Sequence, residues 1–216
     1  MSRKFLQPGA KKARPKTVPQ LITAGLPATI EPMIPQLTQK LAAYSPSSLH
    51  SDAGARASVL IPIVADGGDD TRIILTKRTT TLRYHKGEIS FPGGMYEEDD
   101  QETVRTALRE CDEEIGVKPD DIRIVGRLDD METVTGFVIT PYVGLIPYPY
   151  DFKLNPDEVH HLICLPFSYL MDCEPETTTA ERRGKTIEAP VIYYEGERIW
   201  GATCKLLLQL RRILEG

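Results

Sequence analysis

The stretch Arg109-Glu110-Cys111-Asp112-Glu113-Glu114-Ile115-Gly116-Val117 decides the reading of this chain. Its glutamates stand at i, i+3 and i+4, so in an α-helix they project from one side within a single turn. Like charges at that spacing repel one another and weaken a helix. A solvated acidic face is the plain alternative. The arrangement makes better sense with a strong positive charge among the carboxylates. Hard oxygen donors suit Mg²⁺ or Mn²⁺, ions that usually accompany phosphate chemistry.

Working outward, Val104, Ala107, Leu108, Cys111 and Ile115 recur at helical spacing and predict a helix over 100–115. Gly116 is its stop signal, with Pro119 just beyond. The glutamates fall in the sector beside the apolar face, where a helix that buries one side offers carboxylates at its rim. Ahead of the helix, residues 78–100 read as one long loop holding Gly87, Pro92, Gly93 and Gly94. A connection that long inside a compact domain is usually functional. Glycine there permits a tight turn and close approach of backbone to phosphate.

Residues 57–65 and 72–77 are Val- and Ile-rich strands joined by Asp66-Gly67-Gly68-Asp69-Asp70, a hairpin. A helix is expected over 30–43, where Pro32 and Pro35 are tolerable only near the first turn. Further strands are expected at 122–128, 137–146, 158–165 and 191–194, and a final helix at 200–214. Strands, a central helix, more strands and a terminal helix point to an α+β fold with helices packed on a mixed sheet. The expected organisation is one domain over 30–216, preceded by a basic, Pro-containing arm over 1–29. In that arm Arg3, Lys4, Lys11, Lys12, Arg14 and Lys16 meet no acid before Glu31.

A chain of 216 residues can build one sizeable core, and 41% hydrophobic with 26% charged residues is ordinary for a globular protein. A net charge of −5 argues against broad nucleic-acid binding. No apolar run is long enough to span a bilayer, so no membrane partner is expected. Cys111, Cys164, Cys173 and Cys204 contain no C-x-x-C pair, which fits reduced thiols and a cytoplasmic location better than disulfides or zinc. The four histidines lack zinc-ligand spacing, and His160-His161 reads as surface and core.

Gly93-Gly94, the helix and the glutamate triad together resemble the signature of the Nudix hydrolases. That signature runs from a glycine, through a glutamate, to Arg-Glu-apolar-x-Glu-Glu-x-Gly-apolar. The second half matches residue for residue, with Cys111 in the first apolar position. The resemblance implies a Nudix-type α/β/α sandwich with a mixed sheet and a catalytic loop-helix-loop. It implies that Glu110, Glu113 and Glu114 bind Mg²⁺ or Mn²⁺ and help activate water, and that Arg109 orients them through an ion pair. One departure stands out. Gly94 lies one residue farther from Arg109 than the usual signature allows, and Gln101 occupies the position expected for glutamate. Asp100 and Glu102 flank it as substitutes.

The segment before the helix narrows the resemblance. Leu75-Thr76-Lys77-Arg78-Thr79, Arg83, Gly87 and Phe91-Pro92-Gly93-Gly94 resemble the coenzyme A pyrophosphatases of this family, in which the longer spacing is common. The likeness extends through 57–62, 136–141 and 199–203. It implies metal-dependent hydrolysis of coenzyme A or acyl-CoA to 3′,5′-ADP and (acyl-)4′-phosphopantetheine, and it makes a homodimer plausible. Two alternatives stand beside it. One is a Nudix pyrophosphatase for NADH, ADP-ribose, dinucleoside polyphosphates or noncanonical nucleotides; the other is a nucleotide-binding Nudix regulator without activity. A substrate with a pyrophosphate needs local positive charge, and Lys77, Arg78, Arg83, His85 and Lys86 lie in one segment. Lys77, Arg78, Arg83, His85, Gly93 and Gly94 are therefore the expected substrate-binding residues. Tyr193, Tyr194 and Trp200 read as core at a strand end rather than an adenine stack. Asp129, Asp130 and Glu132 read as exposed loop, as do Asp157 and Glu158.

Overall fold

In the computed structural model, residues 33–49, 55–65, 70–80, 86–133, 136–182 and 185–216 are described. The basic arm, the turn over 66–69, Arg83 and His85 lie outside the described residues. The elements in chain order are α1 (Met33–Ala43), β1 (Arg56–Ala65), β2 (Thr71–Arg78), β3 (Ile89–Ser90), β4 (Gly93–Met95), α2 (Thr103–Ile115), β5 (Arg123–Arg127), β6 (Met131–Glu132), β7 (Val138–Ile146), β8 (Val159–Pro166), α3 (Phe167–Asp172), β9 (Glu176–Arg182), β10 (Lys185–Tyr194), β11 (Glu197–Trp200) and α4 (Gly201–Glu215).

An eight-stranded mixed sheet forms the centre, with β3-β2-β1-β7-β5 as its spine, and β9, β10 and β11 make a second, antiparallel sheet. β1 runs parallel to β7 from Arg56↔Val138 to Val64↔Ile146. The strand Arg-Ala-Ser-Val-Leu-Ile-Pro-Ile-Val-Ala is apolar almost throughout because both its faces are covered. Alternate side chains divide between two cores. Leu60, Val64 and Ile74 meet Ala107, Cys111 and Ile115 of α2. Ile61, Ile63, Ile73 and Leu75 meet Leu37 and Leu41 of α1 and Leu207 and Leu210 of α4. The result is the expected α+β sandwich.

One irregularity of the sheet builds the site. The antiparallel hairpin of β1 and β2 pairs only from Ile63↔Ile73 to Ala65↔Thr71, and the two strands then part. Chain 89–95 fills the fork: β3 pairs with β2, and β4 pairs with the first half of β1. Leu60 N–H donates to Pro92 O across it at 2.9 Å. The long loop expected over 78–100 is thus partly a pair of very short strands.

Four other expectations need correcting. The helix begins at Thr103, not at 100, because residues 98–100 form a separate 3₁₀ turn. Asp129 and Asp130 are not exposed loop residues. Asp129 accepts Tyr44 Oη and Ser47 N, while Asp130 accepts Leu49 N, Arg127 Nη2 and Thr140 Oγ1, all between 2.7 and 3.0 Å. They fasten the segment after α1 to the sheet. Tyr193 is exposed rather than core, and Arg198 stacks its guanidinium over Trp200 at 4.6 Å. Finally, β9, α3 and β11 have no counterpart in the expected element order. Cys111 and Cys204 are buried and all four thiols are free, as expected; burial pushes the Cys204 thiol up to about 12.

Candidate active site

The site lies where α2 crosses the fork. Gly93 and Gly94 are both required there, for different reasons. A Cβ at Gly93 would lie 2.4 Å from Ser58 O and 2.7 Å from Val59 Cα, so β4 can pair with β1 only without a side chain. A Cβ at Gly94 would lie 2.2 Å from Glu110 Oε1, so this glycine makes room for a site carboxylate. Gly94→Ala is expected to displace Glu110 and lower turnover at least tenfold with little change in Tm. Gly93→Ala is expected to lower Tm first, since backbone cannot give way. Thermal melts and initial rates on both variants check this, and an equal loss of stability in the two would contradict it.

The three glutamates differ in burial, contrary to a shared place at the rim. Glu114 is 1% exposed, the Glu110 side chain 15%, and the Glu113 side chain 54%. Helical spacing gives one side, but the cover comes from other elements. Val117 N–H donates to Cys111 O and Gly116 N–H to Asp112 O around a left-handed Gly116 (φ 72°), which turns the chain back under the helix. Asn155 N–H donates to Glu114 O at 2.9 Å, bringing the segment before β8 against the end of α2.

Arg109 organises this cluster. Its Nε and Nη2 fork onto Asp100 at 3.0 and 3.2 Å, its Nη1 reaches Glu110 Oε1 at 2.9 Å and Glu113 Oε2 at 3.4 Å, and Nη2 also donates to Met95 O at 3.2 Å. Asp100 further accepts Thr106 Oγ1 and Glu97 N. Of the two neighbours of Gln101, then, Asp100 and not Glu102 is the partner of Arg109. The one-residue excess in the spacing is absorbed at the same place. Glu102 N–H donates to Asp100 O at 2.7 Å across Gln101, whose φ is 62° and ψ −44°, a strained γ-turn that lets the chain take one more residue before the helix starts.

The Arg109 hydrogen bonds hold the Asp100 carboxyl at about 2, below its ordinary 3.8, against its burial. Because the folded value lies below the unfolded one, this contribution is complete above about pH 4 and is lost as pH falls towards 2. It amounts to roughly 2 kcal/mol. Asp100→Asn should cost about that much at pH 7 and flatten acid unfolding between pH 4 and 2; an unchanged acid limb would contradict the assignment.

Glu110 and Glu114 behave in the opposite sense. Burial raises the Glu110 carboxyl in spite of Arg109. Burial also raises Glu114 to about 8; Arg78 opposes the shift, while the charges of Glu110 and Glu158 add to it. Glu158, at the foot of β8, helps through its charge to raise both helix carboxyls. Its carbonyl accepts Thr79 N–H at 2.9 Å, which seats it beside the end of β2. The sequence reads Glu158 as exposed loop; the pairing of β2 with β8 instead leaves it half-buried beside the cluster.

Among the described residues no three His, Cys, Asp or Glu side chains stand together as a ready metal cage. Glu114 Oε2 is nevertheless buried without a hydrogen-bond partner, in a cluster short of positive charge. All donors are hard oxygens. They fit a divalent ion held by one or two carboxylates and completed by water and phosphate, the habit of Mg²⁺. Of the expected substrate-binding residues, Arg78 donates from Nη1 to Glu114 Oε1 at 3.4 Å. Lys77 is paired with Glu197 of β11, which also faces His161 Nε2 at 3.4 Å. An open cleft of about 550 Å³ at the other end of α2, lined by Arg56, Tyr96, Gln101, Glu102, Thr103 and Tyr142, contains none of these residues.

Residues 54–189, which hold the glycine-lined fork and the helix with its arginine-ordered carboxylates, match the NUDIX domain, and the chain belongs to that family. It is a Nudix hydrolase of the pyrophosphohydrolase kind. Its relatives include proteins named "Uncharacterized Nudix hydrolase NudL". The one from Photorhabdus laumondii is 32% identical over 161 residues, 74% of this chain and 85% of its own. The one from Yersinia pestis is 32% identical over 176 residues, 81% of this chain and 87% of its own. Among solved structures, the NUDIX domain of Shewanella oneidensis NrtR complexed with ADP ribose is similar at TM-score 0.45 and 20% identity, covering 63% of this chain and 86% of that one. Among the described residues no helix is long and apolar enough to cross a membrane.

Proposed function

We propose that the chain hydrolyses the pyrophosphate bond of coenzyme A or acyl-CoA, releasing 3′,5′-ADP and 4′-phosphopantetheine or its acyl form. One observation carries this reading. Of the residues that resemble coenzyme A pyrophosphatases (75–79, Arg83, Gly87 and 91–94), the first stretch ends β2 and the last lies in the chain that fills the fork, with Arg78 against Glu114 and Gly94 against Glu110.

Glu110 and Glu114 would hold Mg²⁺ or Mn²⁺, with Glu113 and Glu158 at the margin of the cluster. The bound ion would neutralise the pyrophosphate and lower the pKa of the attacking water. Arg109 fixes the Glu110 carboxylate, and the Arg109–Asp100 fork fixes Arg109. One carboxylate of the cluster would take the proton of the attacking water. Phosphate oxygens would meet the half-buried Arg78. Lys77 can join it only by leaving Glu197.

Incubation with coenzyme A, acetyl-CoA, NADH, ADP-ribose and dNTPs in Mg²⁺ or Mn²⁺, with products identified by mass, tests the substrate class. The expected result is 3′,5′-ADP and the phosphopantetheine product at a kcat/KM at least tenfold above the other substrates. Faster turnover of ADP-ribose or NADH would overturn the CoA assignment and leave the pyrophosphohydrolase standing.

A further inference from the structure

Among the described residues two arginines touch the carboxylate cluster, and they do so differently. Arg109 is held as a permanent structural pair is held: it forks onto Asp100 at 3.0 and 3.2 Å and gives its remaining nitrogen to Glu110 at 2.9 Å. Short, bidentate geometry with every donor used is what makes a buried ion pair stable. Arg78 has none of these features. Among the described residues its guanidinium makes one long contact, Nη1 to Glu114 Oε1 at 3.4 Å. Its Nε is buried without an acceptor, and Glu114 Oε2, in the same pair, is buried without a donor. The two orphaned atoms show that the pair does not satisfy itself.

The backbone explains why Arg78 sits there at all. Its N–H donates to Glu88 O at 2.9 Å, and the register between β2 and β8 slips between Lys77 and Arg78. A bulge of this kind re-aims the side chain that follows it. Here it turns Arg78 to the one site carboxylate that is almost wholly covered, while the guanidinium stays 22% exposed at the edge of the cluster. Among the described residues Arg78 is the cation within ion-pair reach of Glu114, and its charge favours the ionised carboxylate against the cost of burial.

We propose that Arg78 is a stand-in cation: it occupies the charge position of the divalent ion beside Glu114 in the ion-free protein and is displaced from that carboxylate when the ion binds. Arg78 is then a positioning residue with two stations. In the first it keeps Glu114 in place. In the second, displaced toward the open edge, it presents its full fork, including the now idle Nε, to an incoming anion. Ion binding would thereby switch on the phosphate-binding arginine, which orders the two events. The inference rests on the divalent-ion reading of the site but not on the identity of the nucleotide.

The test uses Mn²⁺ alone, titrated into wild-type protein, Arg78→Ala, Glu114→Gln and the double variant, with free Mn²⁺ followed by electron paramagnetic resonance. Removing the competitor should tighten Mn²⁺ binding about tenfold in Arg78→Ala. The same substitution should change affinity less than twofold in the Glu114→Gln background, because the contact it competes for is already gone. Simple loss of a nearby positive charge would tighten binding equally in both backgrounds and would overturn the proposal. So would unchanged or weaker binding in Arg78→Ala. No Mn²⁺ binding by any of the proteins would overturn the ion reading along with it, which separates the two failures. If Arg78→Ala does not fold, a crystal structure of the wild-type protein with Mg²⁺ and no nucleotide decides. Arg78 should then lie more than about 4 Å from Glu114, beyond ion-pair reach, and a retained contact would refute displacement.

Discussion

Glu114→Gln should lower turnover by roughly 10²–10⁴-fold while leaving the protein at least as stable as wild type. The activity loss follows from removing the most buried carboxylate of the cluster, one with an unsatisfied oxygen. The stability gain follows from the same burial. In the folded protein the Glu114 carboxyl is raised from 4.5 to about 8. A raised carboxyl makes the folded state bind a proton that the unfolded chain releases. Its contribution is therefore intact below about pH 4.5 and is lost as pH rises through about 8. The cost in the ion-free protein at high pH is on the order of a few kcal/mol. Glutamine keeps the shape and removes the charge. Melts in EDTA should show Glu114→Gln drawing ahead of wild type between pH 5 and 8, and Mg²⁺ should narrow the gap by stabilising wild type more than the variant. A variant with wild-type turnover at saturating Mg²⁺ would sink the role given to Glu114. A gap that does not depend on pH would sink the account of its burial.

The second large effect is expected at Arg109. Its loss strands Asp100, whose side chain is 6% exposed, and frees Glu110 at once. Breaking such a pair by removing one partner costs roughly 3 kcal/mol, because the buried charge left behind is uncompensated. For a domain of this size that is a fall in Tm on the order of 10 °C. Arg109→Lys should recover part of the stability and little of the activity. A single ammonium cannot fork onto Asp100 and still reach Glu110. Asp100→Asn combined with Arg109→Ala should cost much less than the sum of the two, since both break one network. Calorimetry and steady-state rates on the four proteins check this. Additive losses would mean that Arg109 and Asp100 act separately.

These effects also show where the sequence was readable. The hairpin of β1 and β2, the parallel partner β7, and the helices α2 and α4 announced themselves through apolar period and stop signals. β9 did not: Glu-Thr-Thr-Thr-Ala-Glu-Arg has no buried face to impose alternation, and it is a strand because β10 pairs with it. α3 is six residues long, too short for a helical period to register. β3 and β4 exist because two strands diverge, a tertiary event that leaves only Gly93 and Gly94 as a trace.

The site divides in the same way. Spacing put Glu110, Glu113 and Glu114 on one side of a helix but said nothing of their unequal burial, which α2 acquires from β2 and the segment before β8. The choice of Asp100 over Glu102 needed the γ-turn at Gln101, and no local pattern announces that turn. Asp129 and Asp130 read as loop residues because, Arg127 apart, their partners Tyr44, Ser47, Leu49 and Thr140 are remote in sequence or offer only backbone groups.

The most direct test of the central claim compares wild-type protein with Glu110→Gln/Glu114→Gln on coenzyme A, each with Mn²⁺ and with EDTA, by mass analysis of products. The wild-type protein with Mn²⁺ should yield 3′,5′-ADP and 4′-phosphopantetheine, and the other three mixtures should yield neither above background. Cleavage that persists in EDTA, or in the double variant at the wild-type rate, would contradict a catalytic centre built on these two carboxylates.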